Sequence, residues 1–345
     1  MSFVDVRIVR AGRRSGLTIR DIDLAFRDMS RPGVCPDGGR IAAGLNWPPH
    51  SITRTMSSAL SLLPAMPRTA ARQTPAPASS PFRMDMLRIG RQLLRVGRQR
   101  GSGDGPPLLL FNGIGANIEL LEPLARAMPQ REILAFDVPG VGHSPLPALP
   151  YRLSGIARLA AGVLDHYGHA RCDVLGISWG GGAAQQFARD HADRCRRLIL
   201  CATAAGVAMV PARPRVLLKM ATPQRYVSKR YARRVAGDIY GGDFRTDPAL
   251  GAELHKHVRW QSRLGYYLQL AAMSGWTSIH WLHRLKMPTL IMAGSDDPLI
   301  PMINPRLMRR LIPNAELQVF DCGHLFLLTR APQSAAAIDE FLSRP

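Results

Sequence analysis

Long apolar runs are missing from this chain of 345 residues: none reaches the roughly 18–20 residues that cross a bilayer as a helix, so no transmembrane segment is expected. Cysteine is scarce. The five, Cys35, Cys172, Cys195, Cys201 and Cys322, are odd in number and irregular in spacing. That excludes a disulfide framework and a cysteine-based metal site. It favours a reducing, intracellular compartment. Cys172, Cys201 and Cys322 lie in or beside apolar runs and are expected to be small core residues. Acidic residues are also few, 25 Asp+Glu against 45 Lys+Arg, and nearly all the cations are arginine. The resulting net charge of +20 could draw nucleic acid or an anionic membrane surface. Yet aromatics make up only 6%, and neither zinc-ligand spacing nor an RNA-binding aromatic motif accompanies the charge. No specific nucleic-acid partner is expected, and an arginine-rich composition accounts for the excess.

The excess is uneven. Residues 1–100 carry 17 Lys+Arg against 6 Asp+Glu. Residues 1–81 form a basic extension whose end, from Met66 to Pro81, is rich in Pro, Ala and Ser. Such composition cannot bury a core and is expected to be largely disordered. The apolar piece from Ala59 to Met66 is far from residue 1 and contains Pro64, which argues against a signal peptide. Initiation downstream, at Met84 or Met86, is an alternative account of the extension.

What is present begins at Phe82. Met86–Gly90 and Gln92–Gly97 predict a hairpin. Leu108–Phe111 is a continuous apolar strand of the kind buried on both faces of a parallel sheet. Strands follow at Glu132–Asp137, in the run ending at Ile177, and at Arg197–Ala202, Thr289–Gly294 and Ala315–Phe320. Helical spacing fills 119–128, 153–167, the stretch after Ser178, and 331–342. This alternation predicts an α/β fold, a doubly wound, mostly parallel sheet. The rhythm breaks between about 204 and 285, where helical stretches dominate. Such an insertion would lie over the carboxyl ends of the strands as a helical lid.

The chemistry centres on Gly176-Ile177-Ser178-Trp179-Gly180, a G-x-S-x-G nucleophile elbow in a strand–turn–helix setting. A serine at so tight a turn needs small residues two places before and after it. Its base and orienting acid should follow in the order acid, then histidine. Asp297 and His324 each lie just past a strand end, in that order. Asp297 is preferred to Asp296, because the following Pro-Leu-Ile-Pro suits a loop that turns its carboxylate inward. His324 would take the proton from Ser178, and Asp297 would hold the imidazole. The backbone N–H groups of Ile114 and Trp179 would hold the oxyanion. No metal or organic cofactor is required.

These residues resemble the α/β-hydrolase fold over about residues 86–345. Longer matches are similar to the intracellular poly(3-hydroxyalkanoate) depolymerases of medium-chain-length type: Phe111–Asn117, Ala135–Gly142, Gly176–Gly181, Gly275–His283, Asp296–Pro301 and Gly323–Leu327. The resemblance implies a serine hydrolase that cleaves stored polyester at the surface of cytoplasmic granules, with the triad Ser178, Asp297 and His324. It makes Asn112, Trp276 and Trp281 candidates for substrate binding. It implies a polyester granule surface or hydrophobic ester as partner. A general carboxylesterase or a C–C bond hydrolase would use the same triad. A binding protein that keeps the fold without turnover is a third reading, which the intact triad opposes.

Overall fold

The first two strands, β1 (Arg83–Ile89) and β2 (Gln92–Gln99), form the expected hairpin, antiparallel and turned at Gly90, whose φ of +58° is easy only for glycine. The computed structural model describes residues 79–344 apart from Pro248, Trp260 and Gln261. The expectations for residues 1–78, Cys35 among them, lie outside those described residues.

The chain then runs β3 (Leu108–Phe111), α1 (Glu122–Arg126), β4 (Ile133–Phe136), α2 (Leu153–His166), β5 (Cys172–Ile177), α3 (Trp179–Asp190) and β6 (Cys195–Cys201). Six helices follow: α4 (Pro214–Met220), α5 (Gln224–Val227), α6 (Lys229–Tyr240), α7 (Asp243–Thr246), α8 (Ala249–Lys256) and α9 (Arg263–Met273). The alternation resumes with β7 (Thr289–Gly294), α10 (Ile303–Leu311), β8 (Ala315–Phe320), α11 (Phe326–Thr329) and α12 (Ala331–Ser343).

The eight strands form one sheet in the order β1-β2-β4-β3-β5-β6-β7-β8. Pairing is antiparallel from β1 to β4 and parallel thereafter. The central strands are apolar throughout because both faces are covered. Leu109 and Phe111 join a core with α2 and α3, while Leu108 and Leu110 join a second core with α1 and α12. Helix α2 earns its place by spacing: Leu153, Ile156, Ala157, Ala160 and Leu164 fall on one face and are buried.

One expected helix, 119–128, is shorter than its spacing suggests. A 3₁₀ turn at Ile118–Leu121 precedes α1, which opens with Pro123 in its first turn. Proline lacks the N–H that a continuous helix would need there. The insertion between β6 and β7 carries its own small core, with Val216, Val235, Ile239, Tyr240 and Phe244. Cys172, Cys195, Cys201 and Cys322 are free and buried. Burial pushes the Cys172 and Cys322 thiols up to about 12. Among the described residues no helix is long and apolar enough to cross a membrane.

Candidate active site

Strand β3 pairs with β4 on one side and β5 on the other, so chain connections leave in opposite directions at its carboxyl end. Ligands bind at such switch points in open α/β sheets. Here β5 ends and α3 begins at Ser178, whose φ and ψ are +54° and −116°. A side chain at positive φ is strained. The corner is held by three hydrogen bonds: Ser178 N–H donates to the Cys201 carbonyl (2.9 Å), and the Ser178 carbonyl accepts from Gly181 N–H (2.9 Å) and the Thr203 hydroxyl (2.7 Å). The motif glycines are steric necessities. A Cβ on Gly176 would lie 2.4 Å from the Gly180 carbonyl oxygen, and one on Gly180 would lie 2.2 Å from that of Phe111.

Asp297 and His324 meet. The His324 Nδ1 and Asp297 Oδ2 are 2.7 Å apart, and both residues are buried. The other carboxylate oxygen of Asp297 accepts from the N–H groups of Leu299 (2.8 Å) and Ile300 (2.9 Å). The loop after β7 thus turns this carboxylate inward. Asp296 points outward instead, bound to Arg245 and to Gly242 N–H (2.7 Å). The Arg245 guanidinium holds its carboxyl below the usual range. His324 N–H donates to the Tyr240 carbonyl (2.7 Å), which fixes the histidine backbone to the end of α6.

Ser178 and His324 line one pocket with about 750 Å³ of free space, part of it open to solvent. That is within the range of small-molecule sites. The Ser178 hydroxyl makes no hydrogen bond among the described residues. Such contacts are often long before substrate binds. The walls are aliphatic: Leu120 and Leu124 on one side, Leu325 and Leu328 after the histidine, Met220 and Leu254 from the insertion.

The loop after β3 is held from both sides. Asn112 accepts from Gly113 N–H (2.8 Å) and donates to the Asn117 carbonyl (2.8 Å). Asn112 borders the pocket, but both ends of its amide serve its own loop. The Tyr226 hydroxyl donates to the Ile114 carbonyl (2.6 Å), and Gln269 accepts from Gly115 N–H (2.7 Å). The carbonyl of Gln269 also accepts from the Trp179 indole (2.8 Å), so α9 steadies both proposed oxyanion donors. Trp179 opens α3, where a first-turn N–H has no acceptor within the helix. The loop at Asp137 is structural, as its sequence suggests. Burial pushes the Asp137 carboxyl up, opposed by Arg95 and by the N–H groups of His143 and Ile118.

Trp276 and Trp281 do not reach the pocket. The Trp276 indole donates to Gln186 (2.7 Å) on α3, and Trp281 lies buried against it, at 6.1 Å between ring centroids. The segment after α9 returns to the sheet along the flank of α3, so these rings become core. Sequence spacing missed Arg225, Tyr226 and Tyr240, which do line the pocket.

A family model of the alpha/beta hydrolase fold matches residues 106–331. The chain belongs to the α/β-hydrolase family. A poly(3-hydroxyalkanoate) depolymerase of Ectopseudomonas oleovorans is 50% identical to this hydrolase over 265 residues, covering 76% of this chain and 94% of that protein. The resemblance met in the sequence is therefore borne out. A 2-hydroxymuconate semialdehyde hydrolase of Pseudomonas putida is 31% identical over 78% of this chain and 97% of its own. Among solved structures, an enol-lactonase of Burkholderia xenovorans LB400 superposes with a TM-score of 0.65 at 24% identity, over 75% of this chain and all of that one. That likeness concerns the fold alone.

Proposed function

We propose that this α/β hydrolase cleaves the ester bonds of an intracellular medium-chain-length poly(3-hydroxyalkanoate) through an acyl-enzyme on Ser178. The observation that carries the reading is the aliphatic pocket around Ser178 and His324 in a chain 50% identical to a depolymerase of that polyester class. His324 takes the Ser178 proton as the hydroxyl attacks the ester carbonyl. Asp297, 2.7 Å from the imidazole, holds its tautomer and stabilises the imidazolium. The N–H groups of Ile114 and Trp179 receive the oxyanion. His324 then returns the proton to the leaving alcohol, and water activated by the same histidine releases the acid.

The substrate would sit at a granule in the cytoplasm. Val207, Val210, Leu217, Leu218 and Val227 of the insertion are exposed, and Leu218 is 74% accessible. Such side chains favour an oily surface over water. Residues 1–81 would act as an extension of a catalytic domain spanning 82–345, with the insertion at about 204–285 as its lid.

The test is hydrolysis of suspended medium-chain polymer, short-chain polymer and a soluble p-nitrophenyl ester by the full chain, with Ser178→Ala as control. Release of 3-hydroxy acids from the medium-chain polymer, lost in Ser178→Ala, is expected. Cleavage of the soluble ester without polymer attack would move the function to a general carboxylesterase. Turnover of ring-cleavage products alone would move it to the C–C bond hydrolases.

A further inference from the structure

Arg225 takes no part in the hydrolytic steps, yet it lines the pocket that holds Ser178 and His324. Only 4% of it is exposed. Buried arginines are ordinarily paired with carboxylates, because a lone buried cation is costly. Arg225 has no such partner among the described residues. Its donors meet neutral oxygens: the Tyr266 hydroxyl at 2.9 Å, the Thr222 carbonyl at 3.4 Å and the Tyr226 hydroxyl at 3.5 Å. The guanidinium lies over the rings of Tyr226 (4.4 Å) and Tyr266 (5.2 Å). Its Nε–H has no partner at all. A second, smaller pocket shares Arg225 and Tyr240 and adds His255, whose Nε2 is likewise unpartnered. Guanidinium does not give up its proton in proteins. A permanent cation with a donor to spare, set in an otherwise aliphatic cavity, selects an anion that arrives with the substrate. Its fork geometry suits a carboxylate.

Resting on the polyester reading of Ser178, we propose that Arg225 binds the free carboxylate end of a 3-hydroxy-acid chain, so that the enzyme cleaves oligomers and chains from that end. Polyester direction decides where the carboxylate must lie. Each unit's carbonyl is joined to the 3-oxygen of the next, so the carboxylate end of a chain is always on the alcohol side of any scissile bond. Ser178 Oγ bonds to the scissile carbonyl carbon and its proton passes to His324. The bond from that carbon to the 3-oxygen breaks, and the oxygen takes the proton from His324. The freed hydroxy acid leaves with its carboxylate from Arg225. Water then adds to the acyl-enzyme, Ser178 regains its proton, and the remaining chain gains a carboxylate that suits the same arginine.

The discriminating substrates are the linear dimer of 3-hydroxyoctanoate as free acid and as its methyl ester, with full-length wild type, Arg225→Gln and Arg225→Lys. Wild type should prefer the acid in kcat/KM. In Arg225→Gln that preference should fall by about tenfold or more, chiefly through KM, as expected when a charge-assisted contact is lost. Lysine should restore part of it. Equal losses on both dimers would overturn the proposal and make Arg225 a support for Tyr226 and the Ile114 loop. A wild type without preference would overturn it too. Calorimetric titration of 3-hydroxyoctanoate and its methyl ester into full-length Ser178→Ala needs neither turnover nor a folded Arg225 variant, and the acid should bind tighter. If wild type cleaves neither dimer but Ser178→Ala selects the acid, the polyester reading falls and the carboxylate site stands. If both dimers are cleaved alike and neither ligand is preferred, the site falls and the polyester reading stands.

Discussion

Tyr226 shows how one hydroxyl can serve a site it does not enter chemically. Its donation to the Ile114 carbonyl fixes the peptide plane on which the proposed oxyanion donor rides. Tyr226→Phe removes one buried hydrogen bond, a change of roughly 0.5–1.5 kcal/mol, so kcat on a soluble ester should fall between about two- and tenfold. KM should stay nearly level, because the acyl pocket keeps its aliphatic walls; steady-state kinetics separates the two. At this scale the sequence was generous with the nucleophile and its partners. Ser178, Asp297 and His324 each follow a strand directly, and a strand end leaves a side chain little freedom of place. Asp297 could be chosen over Asp296 because a Pro-bounded loop has one inward face. Tryptophans offered no such guide. Trp276 and Trp281 are large and apolar wherever they go, and only the return path of the chain along α3 makes them core. Arg225 was equally hidden, one arginine among 45 Lys+Arg with nothing in its neighbours to mark it as buried.

Among elements, the strands were the most legible. The runs at Leu108–Phe111, Thr289–Gly294 and Ala315–Phe320 match β3, β7 and β8 because a strand covered on both faces must be apolar almost throughout. Helices in the insertion were legible as a class but not in arrangement, since their packing rests on contacts distant in sequence. One such contact is the pin between Asp296, after β7, and Arg245 of α7, reinforced by Gly242 N–H. Both side chains are substantially exposed, so the pair is worth at most about 1 kcal/mol. Arg245 lowers the Asp296 carboxyl in the folded protein. The contribution is therefore complete above the unfolded carboxyl's value of about 3.9 and disappears as pH falls through the lowered folded value. Hydrogen-exchange protection of residues 242–246 should drop as the solution becomes that acidic. In Asp296→Asn it should already be low at neutral pH and change little on acidification, with the melting temperature nearly unmoved.

For the whole molecule, the sheet, both its cores and the pocket draw on residues from Phe82 onward. A chain of residues 79–345 should therefore melt within a few degrees of the full chain and turn over a soluble ester at a similar kcat/KM. Thermal unfolding followed by ester kinetics checks both, and a truncated chain that fails to fold would place earlier residues in the folding unit. The same view bears on descent. Strands β6 and β7 are hydrogen-bonded neighbours, so the chain leaves the sheet for the insertion and returns one strand away, about 4.8 Å across. Geometry of this kind invites exchange of the intervening cassette between lineages, with substrate range drifting while the sheet stays put. Here the cassette is not free to drift. Tyr226 and Gln269 belong to it, and they brace the Ile114 loop and Trp179. Any heritable swap that brought a new pocket without replacements for those two braces would acquire a new appetite and lose the means to act on it.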